Sequence, residues 1–404
     1  MAVNLPPTGE LQPIDGIRLG AAAGGIKYPD RLDVAVVLLD EGSTVGGVFT
    51  ASAFRAAPVV VARERVGAAR ALVINSGNAN AATGDRGLAD ARSTCAHLAA
   101  TLGVADTAVL PFSTGVIGEF LDMDAMRRGI DAATAAARPD GWADAARAIM
   151  TTDTAPKAVS VAGAVDGTPI HATGMVKGAG MIRPDMATML AFIGTDAAVT
   201  GDALRCLAAD LAEGSLNRVT VDGDTSTNDA FIVMATGQAG GTPVSSRGEP
   251  SYRELLDTLN PLAVDLAQRT ARDGEGATKF VTVRVEGGRT NADCLAVAYT
   301  IAHSPLVKTA IFAGDPNWGR FCMAIGRSGV AGLDPDTVGL YLDDVCVARG
   351  GLVADDYTEE AGAGVMARDE FTVRVTLGQG NASETVWTTD LSYDYVRINA
   401  EYRT

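Results

Sequence analysis

The sequence predicts an α/β or α+β protein of two or three domains, and three observations carry that reading. Short runs rich in Val and Ile recur along the chain with turn residues between them. Helical spacing fills several of the intervals. An Asp166-Gly167 pair stands between two extended segments, which is the pattern of an antiparallel hairpin. At 404 residues and 47% apolar, the chain is too long for one ordinary domain and apolar enough for a sizeable core.

The expected strands are residues 34–39, 59–61, 72–74, 108–110, 231–234, 280–285 and 371–375. Leu88, Ala91, Cys95, Leu98 and Leu102 share one helical face, and Gly103 should end that helix. Leu204, Leu207 and Leu211 mark a second helix. A third covers residues 251–272, with Pro261 expected to kink or split it. After the Gly-rich phrase Asp273-Gly-Glu-Gly-Ala277 a new strand begins at Lys279, so a boundary is expected between domains 1–278 and 279–404. The phrases starting at Phe280 and Phe371 look alike, but so short a β pattern recurs by chance and no repeat is assigned.

Composition narrows the function. A formal charge of −16 with no local basic patch argues against nucleic acid and anionic membrane as partners. No apolar run approaches the ~20 residues of a membrane span, and the opening Met1-Ala-Val-Asn-Leu-Pro-Pro does not read as a secretory signal. Five cysteines without CxxC spacing rule out a fully paired intrachain disulfide set, and a reducing cytoplasm is the expected setting. Zinc-type Cys/His clusters are absent, and none of His97, His171 and His303 lies near a candidate nucleophile in sequence. The phrase beginning Gly178-Ala-Gly has Arg183 where a dinucleotide fingerprint needs its third glycine. No metal and no cofactor are expected.

What remains is a set of Thr-, Gly- and Asn-rich phrases: Asn75-Ser-Gly-Asn-Ala-Asn80, Ser113-Thr-Gly-Val-Ile-Gly118, Thr151-Thr-Asp153, Lys177-Gly-Ala-Gly-Met181 and Asp222-Gly-Asp-Thr-Ser-Thr-Asn-Asp229. Each alone reads as a turn. Met186-Ala-Thr-Met-Leu190 differs, because it opens an apolar strand with one hydroxyl near its start. A strand threonine is ordinarily structural. It becomes a nucleophile when its own α-amine, titrating near 7.7 to 8.0, serves as base. Thr188 would gain that amine only if the chain were cut directly before it.

These phrases are where the chain resembles the bacterial ornithine acetyltransferases, also called glutamate N-acetyltransferases. The likeness runs through Gly20-Ala-Ala-Ala-Gly-Gly-Ile-Lys27, Gly47-Val-Phe-Thr50, Lys177-Gly-Ala-Gly-Met-Ile182, Ala187-Thr-Met-Leu190, Ser304-Pro-Leu-Val-Lys-Thr309, Asp315-Pro-Asn-Trp-Gly-Arg320 and Ile398-Asn-Ala-Glu-Tyr-Arg-Thr404. It implies a layered αββα-type N-terminal-nucleophile domain and a smaller α/β C-terminal domain whose tail returns to the active site. It implies self-cleavage between Ala187 and Thr188 into an α chain (1–187) and a β chain (188–404), assembled as a heterotetramer or larger.

The implied reaction moves an acetyl group from N-acetylornithine through Thr188 to glutamate in a ping-pong cycle; acetyl-CoA stands as a further candidate donor. Thr114 and Gly115 are implied as the oxyanion hole, and Thr151, Lys177, Thr188, Glu275, Asn399 and Thr404 as substrate contacts. Two other readings stay open. Related self-processing aminopeptidases and amidases send the acyl group to water, and an uncleaved amino-acid-binding protein would keep the site without turnover.

Overall fold

The computed structural model describes residues 2–67, 69–183 and 189–401. Their contacts divide into a larger unit, Pro7–Asn217 with Asp224–Thr270, and a smaller one, Met1–Pro6 with Arg218–Gly223 and Ala271–Thr404.

The larger unit runs β1 (Ile17–Ala22), β2 (Val34–Leu39), β3 (Thr44–Phe49), α1 (Ala57–Arg65), β4 (Ala71–Asn75), α2 (Gly84–Leu102), β5 (Val109–Ser113) and α3 (Met123–Ala135). It continues with α4 (Trp142–Ala148), β6 (Lys157–Val165), β7 (Thr168–Lys177), β8 (Leu190–Thr195), α5 (Gly201–Gly214), β9 (Ala230–Ala235) and α6 (Pro250–Arg272). The strands form two sheets, ordered β1-β2-β4-β5 and β3-β9-β8-β7-β6. The pairs β4-β5 and β8-β9 are parallel and the others antiparallel.

Burial shows how the sheets stack. Along β2, Ala35, Val37 and Leu39 join Leu72, Ile74, Leu110 and Phe112 in a core shared with Met175, Leu190, Phe192 and Ile232 of the other sheet. Phe112 and Phe192 meet edge to face across that core, with ring centroids 5.2 Å apart. The alternate residues Val34, Val36 and Leu38 face Val61, Cys95, Leu98, Met126 and Ile130 of α1, α2 and α3. On the outer face of the second sheet, Gly46 and Gly174 leave room for Leu204 of α5 and Leu262 of α6. The layers are therefore αββα, the architecture the resemblance implies. A strand buried on both faces carries apolar residues throughout, which is why residues 34–39 show no alternation.

The expected hairpin is present. Val165 pairs with Thr168 across Asp166 and Gly167, and both loop residues have positive φ, 47° and 75°. Gly103 ends α2 in the left-handed conformation at φ 68°. One expectation needs correction. Residues 59–61 lie in helix α1, not a strand: Pro58 presets its first turn, and Val59 and Val61 are buried in different apolar clusters. Of the two outcomes expected at Pro261, a kink or a split, the split does not occur: α6 runs as one element, with Leu255, Leu259, Leu262 and Leu266 buried on both sides of the proline.

The smaller unit contains β10 (Phe280–Gly288), α7 (Asn291–Ala302), α8 (Pro305–Ala313), α9 (Trp318–Gly326), β11 (Gly339–Leu342), β12 (Val345–Arg349) and β13 (Leu352–Val353). They are followed by α10 (Glu359–Met366), β14 (Glu370–Thr376), β15 (Ala382–Thr389) and α11 (Tyr393–Ala400). Its sheet is ordered β13-β12-β11-β14-β10-β15. The two similar phrases are neighbouring parallel strands, with Val283 opposite Val373 and Arg284 opposite Arg374. Val297, Ile301, Val307 and Ile311 of α7 and α8 pack into this unit's core. Among the described residues no single helix is long and apolar enough to cross a membrane.

Candidate active site

Two strand ends build the first part of the site. Because β4 and β5 are parallel and in register, with Asn75 opposite Ser113, the loops that leave them start side by side. The Ser113 hydroxyl donates to the Asn75 side-chain oxygen at 2.6 Å, and the Thr114 N–H donates to the Asn75 carbonyl at 2.9 Å. Asn228, 6% exposed, donates to the carbonyls of Ala79 and Ser113 at 2.6 and 2.8 Å and so ties both loops together. Gly115 has φ +138°, and a Cβ there would sit 2.3 Å from the Gly77 carbonyl carbon. Only glycine fits so close an approach.

Lys177 ends β7 and donates from Nζ to the Thr114 hydroxyl at 3.1 Å. Its side chain is buried, so it is not the surface cation that composition alone would suggest. An accepted bond from an ammonium leaves the threonine O–H as a donor and strengthens it. Next in the chain, the Gly178 N–H donates to Asp153 Oδ1 at 2.7 Å, while Lys157 Nζ reaches the same oxygen at 2.6 Å. The Thr151 N–H donates to Asp153 Oδ2 at 2.9 Å. Burial alone would raise the Asp153 carboxyl, but the charges of Lys157 and Lys177 outweigh it and hold the group well below the ordinary carboxylate range.

On the other side of β8, the Ala230 N–H donates to the Met189 carbonyl at 2.9 Å. Leu190 is thus in register with Lys177 on one side and Ala230 on the other. Asp229, just before β9, is buried, and that burial pushes its carboxyl well above the usual range against the opposing effects of Ser226, Lys177 and the Met189 N–H.

The smaller unit holds a second group. Asn399 of α11 donates from Nδ2 to Glu275 Oε2 at 2.8 Å and to the Tyr395 carbonyl at 3.0 Å. The Ser392 hydroxyl donates to the Gly276 carbonyl at 2.6 Å. Gly276 has φ +66°, and a Cβ would lie 2.3 Å from the Tyr395 nitrogen, so the loop carrying Glu275 packs on the start of α11 through a glycine. Glu275 is 9% exposed, a carboxylate held inside rather than a solvated charge.

A family model described as the ArgJ family matches residues 18–404. The chain is also 52% identical to the arginine biosynthesis bifunctional proteins ArgJ of Pseudomonas syringae pv. tomato and Pseudomonas fluorescens, over 100% of each chain. The chain belongs to the ArgJ family. This bears out the resemblance read from the sequence, and with it the assignment as an acetyltransferase of arginine biosynthesis. Among solved structures, an ArgJ protein from Bacillus halodurans is 37% identical, covering 51% of this chain and 95% of that one, with a TM-score of 0.48. An ornithine acetyltransferase from Mycobacterium tuberculosis, complexed with ornithine, is 34% identical, covering 45% of this chain and 96% of that one, with a TM-score of 0.39.

Of the residues to which the ArgJ resemblance gives roles, the structure brings Thr114, Gly115 and Lys177 together, ties Thr151 to them through Asp153, and separately joins Glu275 to Asn399. Ala187, Thr188 and Thr404 lie outside the described residues. Asp153, Lys157, Asn228 and Asp229 were given no role from the sequence. Three of them close phrases that had stood out, Thr151-Thr-Asp153 and Asp222-Gly-Asp-Thr-Ser-Thr-Asn-Asp229, whereas Lys157 opens an ordinary strand pattern and carries no signal. The histidines pair elsewhere: His97 with Asp131, His171 with Asp196 and His303 with Thr220.

Proposed function

We propose that Thr188 is both the self-cleavage nucleophile and the carrier of the acetyl group. The observation that supports this most is the Lys177–Thr114 contact, placed where β7 is in register with the first residues of β8 after Thr188. In maturation the Thr188 hydroxyl attacks the Ala187 carbonyl, the C–N bond breaks as the hydroxyl proton passes to the nitrogen, and water hydrolyses the ester. The freed α-amine then serves as base.

In turnover N-acetylornithine acetylates Thr188, ornithine leaves, and glutamate takes the acetyl group. The tetrahedral oxyanion would be met by the Thr114 hydroxyl, sharpened by Lys177, and by the Gly115 amide. Thr151, Lys177, Glu275, Asn399 and Thr404 are proposed as substrate contacts, in which a buried lysine suits an α-carboxylate and a buried glutamate suits a cationic amine. Acetyl-CoA as a second donor, assembly as a heterotetramer of α and β chains, a cytoplasmic setting and a division at residues 278 and 279 belong to the same proposal.

The test is a denaturing gel with a transfer assay. Thr188→Ala should give a folded, single chain near 41.4 kDa without activity, and Thr188→Ser should keep some cleavage. Two chains from the alanine variant would refute the mechanism. Release of acetate at an equal rate with and without glutamate would favour a hydrolase instead.

A further inference from the structure

The phrase Ser304-Pro-Leu-Val-Lys-Thr309 carries part of the family resemblance and has no role in the steps above. It opens α8 of the smaller unit, where the Ser304 hydroxyl caps the helix by accepting from the Val307 N–H at 3.4 Å. Lys308, on the first turn of that helix, is 3% exposed. Its Nζ donates to the Thr389 carbonyl and to the Thr388 and Thr389 hydroxyls, the last two at 3.2 and 3.3 Å. The Lys308 carbonyl accepts from the Leu391 N–H at 3.3 Å. An ammonium has three protons, and three oxygens at the end of β15 receive them. Burial pushes this ammonium down to about 8 against the opposing charges of Asp390 and Asp222, so it stays charged at pH 7.

The segment that Lys308 holds also orders Glu275 and Asn399. Asp390 Oδ1 accepts from the N–H groups of Thr278 and Lys279 at 2.9 and 3.1 Å, and Oδ2 from the Thr278 hydroxyl at 2.6 Å. Two residues on, the Ser392 hydroxyl donates to the Gly276 carbonyl and caps α11 by accepting from the Tyr395 N–H at 3.2 Å. Asp390 and Ser392 therefore grip the loop just after Glu275, and the helix that Ser392 caps carries Asn399. Glu275 and Asn399 close the circuit with their own bond at 2.8 Å.

We infer that Lys308 is a positioning residue for the substrate's amine: by anchoring residues 388–391 it sets the spacing of Glu275 and Asn399 without touching substrate itself. This rests on the roles proposed above for Glu275 and Asn399 and deepens them. Thr388, Thr389 and Asp390 are all buried. An apolar side chain in place of Lys308 would leave the oxygens of Thr388 and Thr389 short of a donor, and the segment would have to shift to find one. Any shift passes to Glu275 through Asp390 and Thr278, and to Asn399 through Ser392 and α11.

The experiment measures kcat and KM for N-acetylornithine, at saturating glutamate, in wild type, Lys308→Met, Glu275→Gln and the double variant. Lys308→Met should raise KM about 10-fold with kcat changed by less than about threefold. Because Lys308 acts through Glu275, the double variant should have a KM within about threefold of Glu275→Gln alone. A KM that multiplies the two single effects overturns the proposal. So does a Lys308→Met enzyme with the wild-type KM, or with its loss confined to kcat. If Lys308→Met does not fold, Asp390→Asn takes its place in the same cycle, since it keeps the shape and removes the anion that receives the Thr278 hydroxyl. Effects on KM that fall short of multiplying then support the proposal, and effects that multiply overturn it. A wild-type KM in Glu275→Gln, or activity in Thr188→Ala, would instead remove the reading beneath it.

Discussion

The Lys157 ammonium and the Asp153 carboxylate meet at 2.6 Å with neither side chain exposed to solvent. Asp153 also holds the amides of Thr151 and Gly178, so one carboxylate fixes two segments of the site. Asp153→Asn should remove the anion paired with the buried Lys157 and cost about 3–5 kcal/mol. Thermal unfolding of the folded protein checks it, with a Tm lower by several degrees. The pH dependence has a definite sign. Because the folded-state carboxyl is depressed, its contribution is fully present above the unfolded value near 3.9 and is lost as pH falls below it. The gap between wild type and variant should therefore narrow below about pH 4.

Thr114→Ala removes both the acceptor for Lys177 and the proposed oxyanion donor. We expect kcat to fall about 10²- to 10³-fold with a smaller change in KM. Steady-state kinetics on the cleaved protein measure this, and a change confined to KM would place Thr114 in substrate binding only.

Gly115→Ala should be worse than its size suggests. The new methyl would meet the backbone of Gly77 and Asn78 at a φ that L residues rarely adopt. Expected outcomes are slow or absent self-cleavage on a gel and transfer reduced by at least about 10²-fold.

Glu275→Gln keeps a hydrogen-bonding partner for Asn399 but removes the charge. A charge-assisted bond is worth about 1.5–3 kcal/mol, so KM for N-acetylornithine should rise about 10- to 100-fold while cleavage proceeds normally. Kinetics at fixed glutamate decide it.

What could be read from the sequence follows from burial. The strands β2, β4, β9, β10 and β14 were legible because their runs are apolar and rich in branched residues. The same feature misled at Val59 and Val61, where Pro58 and burial on two sides made a helix. Thr114 and Gly115 read like any turn, and the roles proposed for them come only through family resemblance. Lys157 could not have been found, since its place opposite Val176 comes from strand register and its ion pair from a loop preceding the strand. Asp229 lies in a phrase that stands out, but its burial is a fact of packing.

The order of the five-stranded sheet gives the proposed scission a physical consequence. β3, β7 and β6 precede residue 188, whereas β8 and β9 follow it. Once cut, the sheet is a joint possession of two polypeptides, stitched along the β8-β7 and β9-β3 seams. Either piece alone would present raw strand edges and half of an apolar interior, an invitation to aggregate. Assembly must then come first and cutting second. For the cut enzyme, recovery from denaturation is a meeting of two molecules, slower with every dilution, where the uncut precursor needs only itself.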